Sequence, residues 1–331
     1  MILDEAAVRR LLRMDEVIPA MERALSEFSS GRVVQPVRTM LPVAGHRGFL
    51  GVMPAYTGAA LGAKLVTLYP HNASAGVPTH HAVIQLFKPE TGEPLATMDG
   101  RLITEVRTGA VSAVATHLLA RPGAAVLAIL GTGVQARSHL EALRLVRQFR
   151  QIRVWSPRRA AAFAHEFREL GVRAAASAED AVRGADVVVT ATASQTPVLA
   201  GAWLAPGAHV NAVGAPRPDW RELDDEVLRR ARLYVDSRAA ALEESGDVIA
   251  ATGGAAAGAG GVGAIVAEIG EVAAGTKPGR QTAEEVTLFK SLGLAVEDVA
   301  TADLVYRKAL GAGAPRPAGA TDPQRKEHAS G

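Results

Sequence analysis

The most informative segment of this 331-residue sequence is Val126-Leu127-Ala128-Ile129-Leu130-Gly131-Thr132-Gly133-Val134-Gln135-Ala136. It predicts an apolar strand, a glycine turn and then a helix, the arrangement that presents backbone N–H groups to a pyrophosphate. Gly131 permits the tight turn, Gly133 lets the backbone approach phosphate, and Ala136 is small enough for close helix–strand packing. The segment therefore predicts a nicotinamide or flavin site, with Gly131, Thr132, Gly133, Val134 and Gln135 at the positive end of the helix.

An alternation of helices and strands follows this turn. Because the chain has 33 glycines, a glycine pair alone can be an ordinary turn, so the context matters. The pattern predicts helices over 135–147 and 158–170 and strands over 152–155, 186–192, 209–213 and 232–236. Such short apolar runs are typical of a parallel sheet buried on both faces. The predicted cofactor contacts include the ends of two of these strands, Thr190, Ala191, Thr192, Val213 and Gly214.

The end of the second of these strands indicates which cofactor binds. An NAD site normally offers an acidic residue here to the adenosine ribose, but the sequence is Trp155-Ser156-Pro157-Arg158-Arg159. Ser156, Arg158 and Arg159 suit a ribose phosphate, because guanidinium groups form bidentate contacts with phosphate oxygens. We therefore predict NADPH as the cofactor, with weaker use of NADH. The alternative is that both arginines are solvated residues at the start of a helix.

Composition limits the function classes. A hydrophobic content of 48% and a formal net charge of +2 are ordinary for a globular chain and argue against a nucleic-acid partner. The absence of cysteine excludes disulfides and thiolate metal ligands, and we expect no metal site. The glycine- and alanine-rich stretch 255–267 is too weakly hydrophobic to span a membrane and is predicted to be a loop insertion. The acidic first residues do not look like a secretion signal, so we expect a cytoplasmic protein without membrane contact.

The region before the glycine turn has a different pattern. It predicts a helix over 15–29, strands near 37–41, 49–53, 63–68, 81–87 and 95–98, and a helix over 101–119. The predicted fold class is therefore α/β, with a Rossmann-type dinucleotide-binding domain and an α+β N-terminal domain for substrate binding and dimerisation. We expect residues 1–115 with 303–312 to form the N-terminal domain, 116–302 the Rossmann domain, and the tail from Gly311 to be disordered.

Several motifs resemble those of the ornithine cyclodeaminase and mu-crystallin family, and the mu-crystallin branch matches better. The resemblance extends to about Leu310 and rests on Gly51-Val52-Met53-Pro54-Ala55-Tyr56, Lys64-Leu65-Val66-Thr67, Arg107-Thr108, the glycine turn, Lys290-Ser291-Leu292-Gly293 and, most specifically, the segment from Asn211 to Asp225. It implies a homodimer of two-domain subunits, in which the N-terminal domain and the final helix build the dimer interface and part of the substrate pocket.

The resemblance also implies an active site at Arg38, Lys64 and Arg107. The chemistry fits, because two guanidinium groups can hold a substrate carboxylate and a partly desolvated lysine has a lowered pKa and can donate a proton. Without the resemblance, Arg38 would be assigned to an exposed strand position and Lys64 to a snorkelling side chain.

For several further residues the sequence allows both a functional and a structural role. His80 matches a histidine of the mu-crystallin branch and is included as a substrate contact, although a structural histidine is the alternative. Thr108 is predicted to contact the cofactor or to cap its own helix. The family places Ser291, Leu292 and Gly293 beside the nicotinamide, while Ser291 could also cap a helix. The acids from Glu243 to Asp247 are predicted to form a solvated helix face.

The sequence departs from the deaminating branch at two acidic positions. One corresponds to Gly51 and the other to Pro216, and neither residue can titrate. Asp219 lies near the second position but is displaced by three residues. The leading hypothesis is therefore NADPH-dependent reduction of ketimines or cyclic imine-2-carboxylates to amino acids by hydride transfer. The alternatives are an amino acid dehydrogenase or ornithine cyclodeaminase-type deaminase, and an NADPH-gated small-ligand binding protein without turnover.

Overall fold

The computed structural model describes residues 1–253 and 264–311, and the chain there forms two sheets with helices around them. The first sheet has six strands in the order β1-β6-β5-β4-β3-β2. Its strands are β1 (Ile2–Leu3), β2 (Thr39–Val43), β3 (Gly48–Tyr56), β4 (Leu61–Leu68), β5 (His80–Phe87) and β6 (Pro94–Asp99). Strands β2 to β6 are antiparallel neighbours and β1 pairs with β6 in parallel.

The second sheet has eight strands, all parallel, in the order β13-β12-β14-β11-β10-β7-β8-β9. They are β7 (Val126–Leu130), β8 (Gln151–Trp155), β9 (Val172–Ala174), β10 (Val187–Thr190), β11 (His209–Ala212), β12 (Ala231–Val235), β13 (Ile265–Glu268) and β14 (Val286–Lys290). From β7 the chain proceeds outward through β8 and β9 and then crosses back to β10 on the other side of β7. Ligands of such sheets bind outside the carboxyl ends of the strands at this reversal point, which is where Gly131 lies.

Helices cover both sheets. They are α1 (Glu5–Leu11), α2 (Met14–Ser29), α3 (Gly100–Leu119), α4 (Val134–Val146), α5 (Ala160–Glu166), α6 (Ala178–Val182), α7 (Asp225–Arg230), α8 (Arg238–Glu244), α9 (Gly246–Thr252), α10 (Ile269–Ala273) and α11 (Ala295–Gly311). The side chain of Asp99 caps α3 by accepting a 3.0 Å hydrogen bond from the N–H of Leu102. Helix α11 returns from the second sheet to pack on α2, α3 and strands β3 to β5, so it closes the inner face of the first sheet.

Several sequence predictions need correction. The predicted loop 255–267 is wrong at its end, because Ile265–Glu268 form strand β13 beside β12 with Ala267 buried, and the part before residue 264 lies outside the described residues. The helix predicted over 158–170 is shorter and ends in a 3-10 turn at Arg168–Leu170. Gly311 is the last residue of α11 rather than part of a disordered tail, and the rest of that tail lies outside the described residues. None of the helices in 1–253 and 264–311 has the length and apolarity needed to cross a membrane.

Candidate active site

The glycine turn has the geometry that a bound pyrophosphate requires. Gly131 adopts φ 120°, and a Cβ there would lie 2.3 Å from the carbonyl oxygen of Ala191. Gly133 precedes α4, and a Cβ on it would meet no protein atom within 4 Å. Gly133 is the N-cap and has no side chain to cap α4, so in the described structure the first-turn N–H groups are available to an anion. The turn therefore fits a dinucleotide.

Two side chains of α4 lie beside this turn, and one of them stabilises it. The side-chain oxygen Oε1 of Gln135 is buried and has no hydrogen-bond partner among the residues described. Arg137, which the sequence analysis missed, donates a 2.8 Å hydrogen bond to the carbonyl of Thr132 and another of 2.5 Å to Glu166. Its guanidinium also stacks over Phe163 at 5.2 Å. Arg137 follows the motif directly, which is the signal that could have identified it.

The end of β8 brings the predicted phosphate contacts beside the glycine turn. The hydroxyl of Thr132 donates to Oγ of Ser156 at 3.3 Å, and that oxygen accepts from the N–H of Arg159 at 3.1 Å. Arg158 and Arg159 are exposed, and within the described part of the chain their guanidinium groups form no ion pair. Both are thus free to bind a phosphate at the mouth of the site.

The remaining residues predicted to contact the cofactor lie along the same sheet edge. Several of their N–H and hydroxyl groups donate to other protein groups. The N–H of Ala191 donates to Leu130 and that of Val213 to Thr190, which is itself buried. The N–H and hydroxyl of Thr192 both donate to Glu222, at 2.7 and 2.5 Å. The carbonyl of Gly214 accepts from Lys290.

Asp236 holds the Ser291-Leu292-Gly293 turn. Its Oδ2 accepts from the N–H groups of Leu292 and Gly293 at 2.5 and 2.7 Å and faces the hydroxyl of Ser291 at 3.4 Å. The suggestion that Ser291 caps a helix is therefore wrong. Thr108 does not cap α3 either, because its hydroxyl donates to the carbonyl of Thr104 four residues earlier in the helix.

Lys64, Arg107 and Asp298 form a buried ionic cluster where β4, α3 and α11 meet. Nζ of Lys64 lies 2.5 Å from Oδ2 of Asp298, and Nε of Arg107 donates to Oδ1 of the same carboxylate at 3.0 Å. Lys64 is only 2% exposed, which excludes the snorkelling alternative. Burial, opposed in part by Asp298 and reinforced by the charge of Arg107, lowers the pKa of Lys64 to about 8. Lys64 can therefore both hold and release a proton near neutral pH.

Glu297 extends this cluster. Its Oε2 accepts a 2.8 Å hydrogen bond from Nη1 of Arg107, while its Oε1 is buried and has no hydrogen-bond partner in the described residues. Burial raises the pKa of Glu297 to about 7, against the attraction of Arg107. The sequence analysis missed Glu297 and Asp298; two adjacent acids just after the Lys290–Gly293 motif, in an otherwise apolar helix start, were the available signal.

Arg38 contacts the turn at Leu292 and Gly293. It lies just before β2, and its Nη2 donates to the carbonyls of Leu292 and Gly293 at 2.9 and 2.8 Å. Its Nε donates to Oε1 of Glu244 at 3.1 Å. The side chain is 18% exposed, so the exposed-strand alternative is wrong.

Gly293 separates the two guanidinium groups. It adopts φ 82°, and a Cβ there would lie 2.5 Å from Nη1 of Arg107. In the described part of the chain, Nη1 of Arg38 and Nη2 of Arg107 have no protein acceptor. Each arginine therefore retains one NH2 group, with its two N–H bonds, for a substrate.

His80 completes the site. On β5 it is opposite Leu68, and the alternation of the strands places it on the same face of the sheet as Lys64, whereas exposed His81 points away. Burial, together with the charges of Lys64 and Arg107, lowers the pKa of His80 to about 4. It is therefore a neutral hydrogen-bonding group at physiological pH.

A cavity of about 90 Å³ adjoins Arg38 and Glu244. Met53, the cross-strand neighbour of Lys64, lies at its wall together with Gly293. The rest of the wall is mostly apolar and includes Phe28, Pro36, Val37, Ala239, Ala240, Leu294 and Ala295. The prediction of a solvated helix face for Glu243–Asp247 is thus wrong at Glu244, and also at Asp247, which is fully buried.

The two positions where the deaminating branch has acids provide no substitute. A Cβ on Gly51 would lie 2.9 Å from Cγ1 of Val66 and 3.0 Å from Sδ of Met40, so the space is already filled. Asp219 is 64% exposed and pairs with Arg217 at 3.1 Å. No carboxylate therefore occupies either position.

Comparison with known proteins agrees with this geometry. The model of the ornithine cyclodeaminase/mu-crystallin family matches residues 1–313. The chain belongs to this family. It is 53% identical over 296 residues to the ketimine reductase mu-crystallin of Mus musculus, covering 88% of this chain and 91% of the mouse protein. The family and fold class expected from the sequence are confirmed.

Two solved structures have a similar architecture. The Delta(1)-pyrroline-2-carboxylate reductase of Thermococcus litoralis, in complex with NADH and L-proline, has a TM-score of 0.89 and 42% identity, covering 95% of this chain and 98% of its own. An archaeal alanine dehydrogenase dimer with bound NAD has a TM-score of 0.88 and 38% identity, covering 94% and 96%.

Proposed function

We propose that this protein is an NADPH-dependent reductase of ketimines, acting on cyclic imine-2-carboxylates of the pyrroline-2-carboxylate or piperideine-2-carboxylate type. The observation that carries the proposal is the buried Lys64–Asp298–Arg107 cluster next to Gly293, which combines a proton donor with cations for a carboxylate. The mouse ketimine reductase and the Thermococcus reductase with bound proline support it.

Each side chain of the candidate site has a separate proposed role. The free N–H groups of Arg38 and Arg107 bind the substrate carboxylate from both sides of Gly293. Lys64 keeps the imine nitrogen protonated, which polarises the C=N bond. His80, as a neutral group, hydrogen-bonds the substrate. The reduced nicotinamide, when bound, supplies the hydride that the imine carbon accepts.

The cofactor preference rests on the end of β8. Ser156, Arg158 and Arg159 are proposed to bind the 2′-phosphate of NADPH, so NADH is used less well. The glycine turn would hold the pyrophosphate, and the edge formed by 190–192, 213–214 and 291–293 would line the nicotinamide half, with Thr108 next to it.

A second candidate is the oxidative direction, amino acid dehydrogenation, which the likeness to the archaeal alanine dehydrogenase favours. Ornithine cyclisation is disfavoured because Gly51 and Pro216 cannot titrate and the space beside Gly51 is filled. An NADPH-gated binding protein without turnover is the third alternative.

The wider organisation is also a proposal. We assign residues 1–115 and 303–312 to substrate binding and dimerisation and 116–302 to the cofactor. An open apolar face on the first sheet, where Leu65 and Val83 pair across β4 and β5, supports a homodimer. A cytoplasmic location fits a chain without cysteine.

The deciding experiment measures NADPH oxidation by the purified protein with pyrroline-2-carboxylate, piperideine-2-carboxylate, and pyruvate plus methylamine or ammonia, each repeated with NADH. Rapid oxidation with a cyclic imine supports the proposal and gives the ring preference. Lys64→Met should lower turnover far more than NADPH affinity. Binding of imine without oxidation across the panel would instead favour the binding protein, and activity on alanine, proline or ornithine with NAD the oxidative reaction.

A further inference from the structure

A second buried ionic cluster lies under the sheet edge, apart from Lys64. Lys290, the last residue of β14, is fully buried, and its Nζ donates to the carbonyl of Gly214 and lies 3.1 Å from Oδ2 of Asp247. Oδ1 of Asp247 accepts the N–H groups of Glu222 and Leu223 at 2.9 and 3.0 Å. Neither residue has a role in the chemistry proposed above.

Glu222 links this cluster to the loop after β10. Its Oε1 accepts both donors of Thr192, as described above, while its Oε2 has no hydrogen-bond partner among the residues described. A Cβ on Gly214 would lie only 2.2 Å from Oε2, so this carboxylate packs directly against the glycine. Burial raises the pKa of Glu222, opposed by the charge of Lys290.

The cluster therefore joins segments that are far apart in sequence. It fixes Thr192 after β10, Gly214 after β11, and the segment at Glu222, all through one lysine at the end of β14. Beyond Gly214, Ala215 adopts φ 52°, an unusual conformation for a residue with a side chain. Arg217 in the same loop reaches across to the ring of Phe49 at 4.9 Å. Lys290 thus sets the path of a loop that faces the first sheet.

Burying a lysine and two carboxylates is costly, and an apolar core of the same volume would often be at least as stable. What such a cluster provides is a single fixed arrangement of the groups it binds. The cluster lies at the ends of β10, β11 and β14 rather than in the middle of the sheet. The groups that it fixes are therefore the loops that follow β10 and β11.

We propose that Lys290 is a positioning residue that, through Asp247 and Glu222, holds the loops after β10 and β11 in the shape that receives the nicotinamide half of the cofactor. The inference rests on the proposed function. The adenosine half is held by the Gly131 turn and the end of β8, and among the described residues Lys290, Asp247 and Glu222 form no hydrogen bond with either. Loss of the cluster should therefore weaken one half of the site and leave the other intact.

The test compares two ligands by titration calorimetry: NADPH, which occupies both halves, and 2′,5′-ADP, which occupies only the adenosine half. In Lys290→Met we expect the NADPH dissociation constant to rise at least tenfold and kcat to fall, with 2′,5′-ADP binding within twofold of wild type. The double variant Lys290→Met/Asp247→Asn removes both charges of the pair. If the single variant folds poorly, NADPH and 2′,5′-ADP binding are compared in this double variant instead. Lys308→Met, which breaks a partly exposed pair with Glu16, is the control and should change neither constant.

Equal weakening of both ligands, or no change in either, would overturn the inference. Wild-type protein that binds NADPH but reduces no imine would overturn only the proposed function, because the two-ligand comparison does not need turnover. Wild-type protein that binds neither ligand would overturn both.

Discussion

The two carboxylate oxygens of Asp298 bind different cations, Oδ2 that of Lys64 and Oδ1 that of Arg107. Asp298 therefore fixes the distance between Lys64, the proposed proton donor, and Arg107, one of the two arginines proposed to bind the substrate carboxylate. It also holds up the pKa of Lys64, which burial alone would lower further.

We predict that Asp298→Asn moves the high-pH limb of kcat to lower pH. Lys64 must be protonated to act, so turnover is present below its pKa of about 8 and is lost as the pH rises through that value. Removing the negative charge lowers that pKa further. Steady-state rates between pH 6 and 9 test this, with Asp303→Asn on the same helix as the control because Asp303 pairs only with Arg307 among the described residues. An unshifted limb would remove Asp298 from the proton chemistry.

Gly131→Ala should abolish tight cofactor binding. The methyl group would have to approach the carbonyl of Ala191 to 2.3 Å at a backbone angle that disfavours any side chain. We expect NADPH affinity to fall at least tenfold in a fluorescence titration. Gly123→Ala, where a Cβ meets nothing within 4 Å, is the matched control. Equal affinity in both variants would show that the turn does not hold the dinucleotide.

We propose that the loop between β8 and α5 determines the choice between NADPH and NADH. The double variant Arg158→Ala/Arg159→Ala should raise KM for NADPH at least tenfold and leave KM for NADH nearly unchanged, because only NADPH carries the 2′-phosphate that these guanidinium groups are proposed to bind. Kinetics with both cofactors measure this. Arg168→Ala, in the exposed turn after the same helix, should change neither value. A parallel loss with both cofactors would mean that the arginines only stabilise the loop.

Helices and strands with a clear hydrophobic pattern were predictable from the sequence. Very short strands, and side chains whose partners are distant in sequence, were not. Apolar runs such as Val126–Leu130 and the amphipathic Met14–Ser29 were recovered within a residue or two. The three-residue strand β9 and strands β13 and β14 were missed, because runs of three to five residues are too short to show a clear periodic pattern.

The residues of the candidate site were predictable only where they match a family motif. Arg38, Lys64 and Arg107 were found through the family's motifs, and the structure brings them to one place around Gly293 and α11. Glu244 and Asp247 were predicted to be solvated because acidic side chains are usually exposed. The sequence does not show that Glu244 pairs with Arg38 and Asp247 with Lys290. Partners distant in sequence decide whether a charge can be buried.

The whole molecule should lose stability in mild acid because of its buried histidines. Burial lowers the pKa of His139 to about 4 and that of His209 to about 3. Both values lie below the ordinary histidine pKa of about 6.5, so the unfolded chain binds protons first as the pH falls. Their stabilisation is present above about pH 6.5 and is lost toward pH 4, at up to about 1.4 kcal/mol per pH unit for each residue.

Urea unfolding at pH 7.5 and pH 5 measures this loss. His139→Gln should narrow the difference in unfolding free energy between the two pH values, because glutamine takes up no proton. The exposed His46→Gln should leave it unchanged. If His139→Gln kept the full pH difference, the acid sensitivity would have to come from other groups.

The assembly can be tested through the open face of the first sheet. Leu65 is 46% exposed and Val83 45%, and they are direct cross-strand neighbours on the side that α11 does not cover. Apolar sheet faces of this kind usually mark an interface, and a stable dimer buries about 800 Å² on each partner. We predict that wild-type protein sediments as a dimer at micromolar concentration. Leu65→Lys/Val83→Lys should give monomers, because each subunit would then bring two charges into an apolar contact.

Leu145 provides the matched control for that experiment. It is 54% exposed but lies on α4, which directly follows β7 of the second sheet, so Leu145→Lys should sediment as wild type does. Dimers that survive the double lysine substitution would place the interface elsewhere. Because Lys64 precedes Leu65 on the same strand with its side chain on the opposite face, monomers that retain NADPH-dependent imine reduction would show that the active site is complete within one subunit.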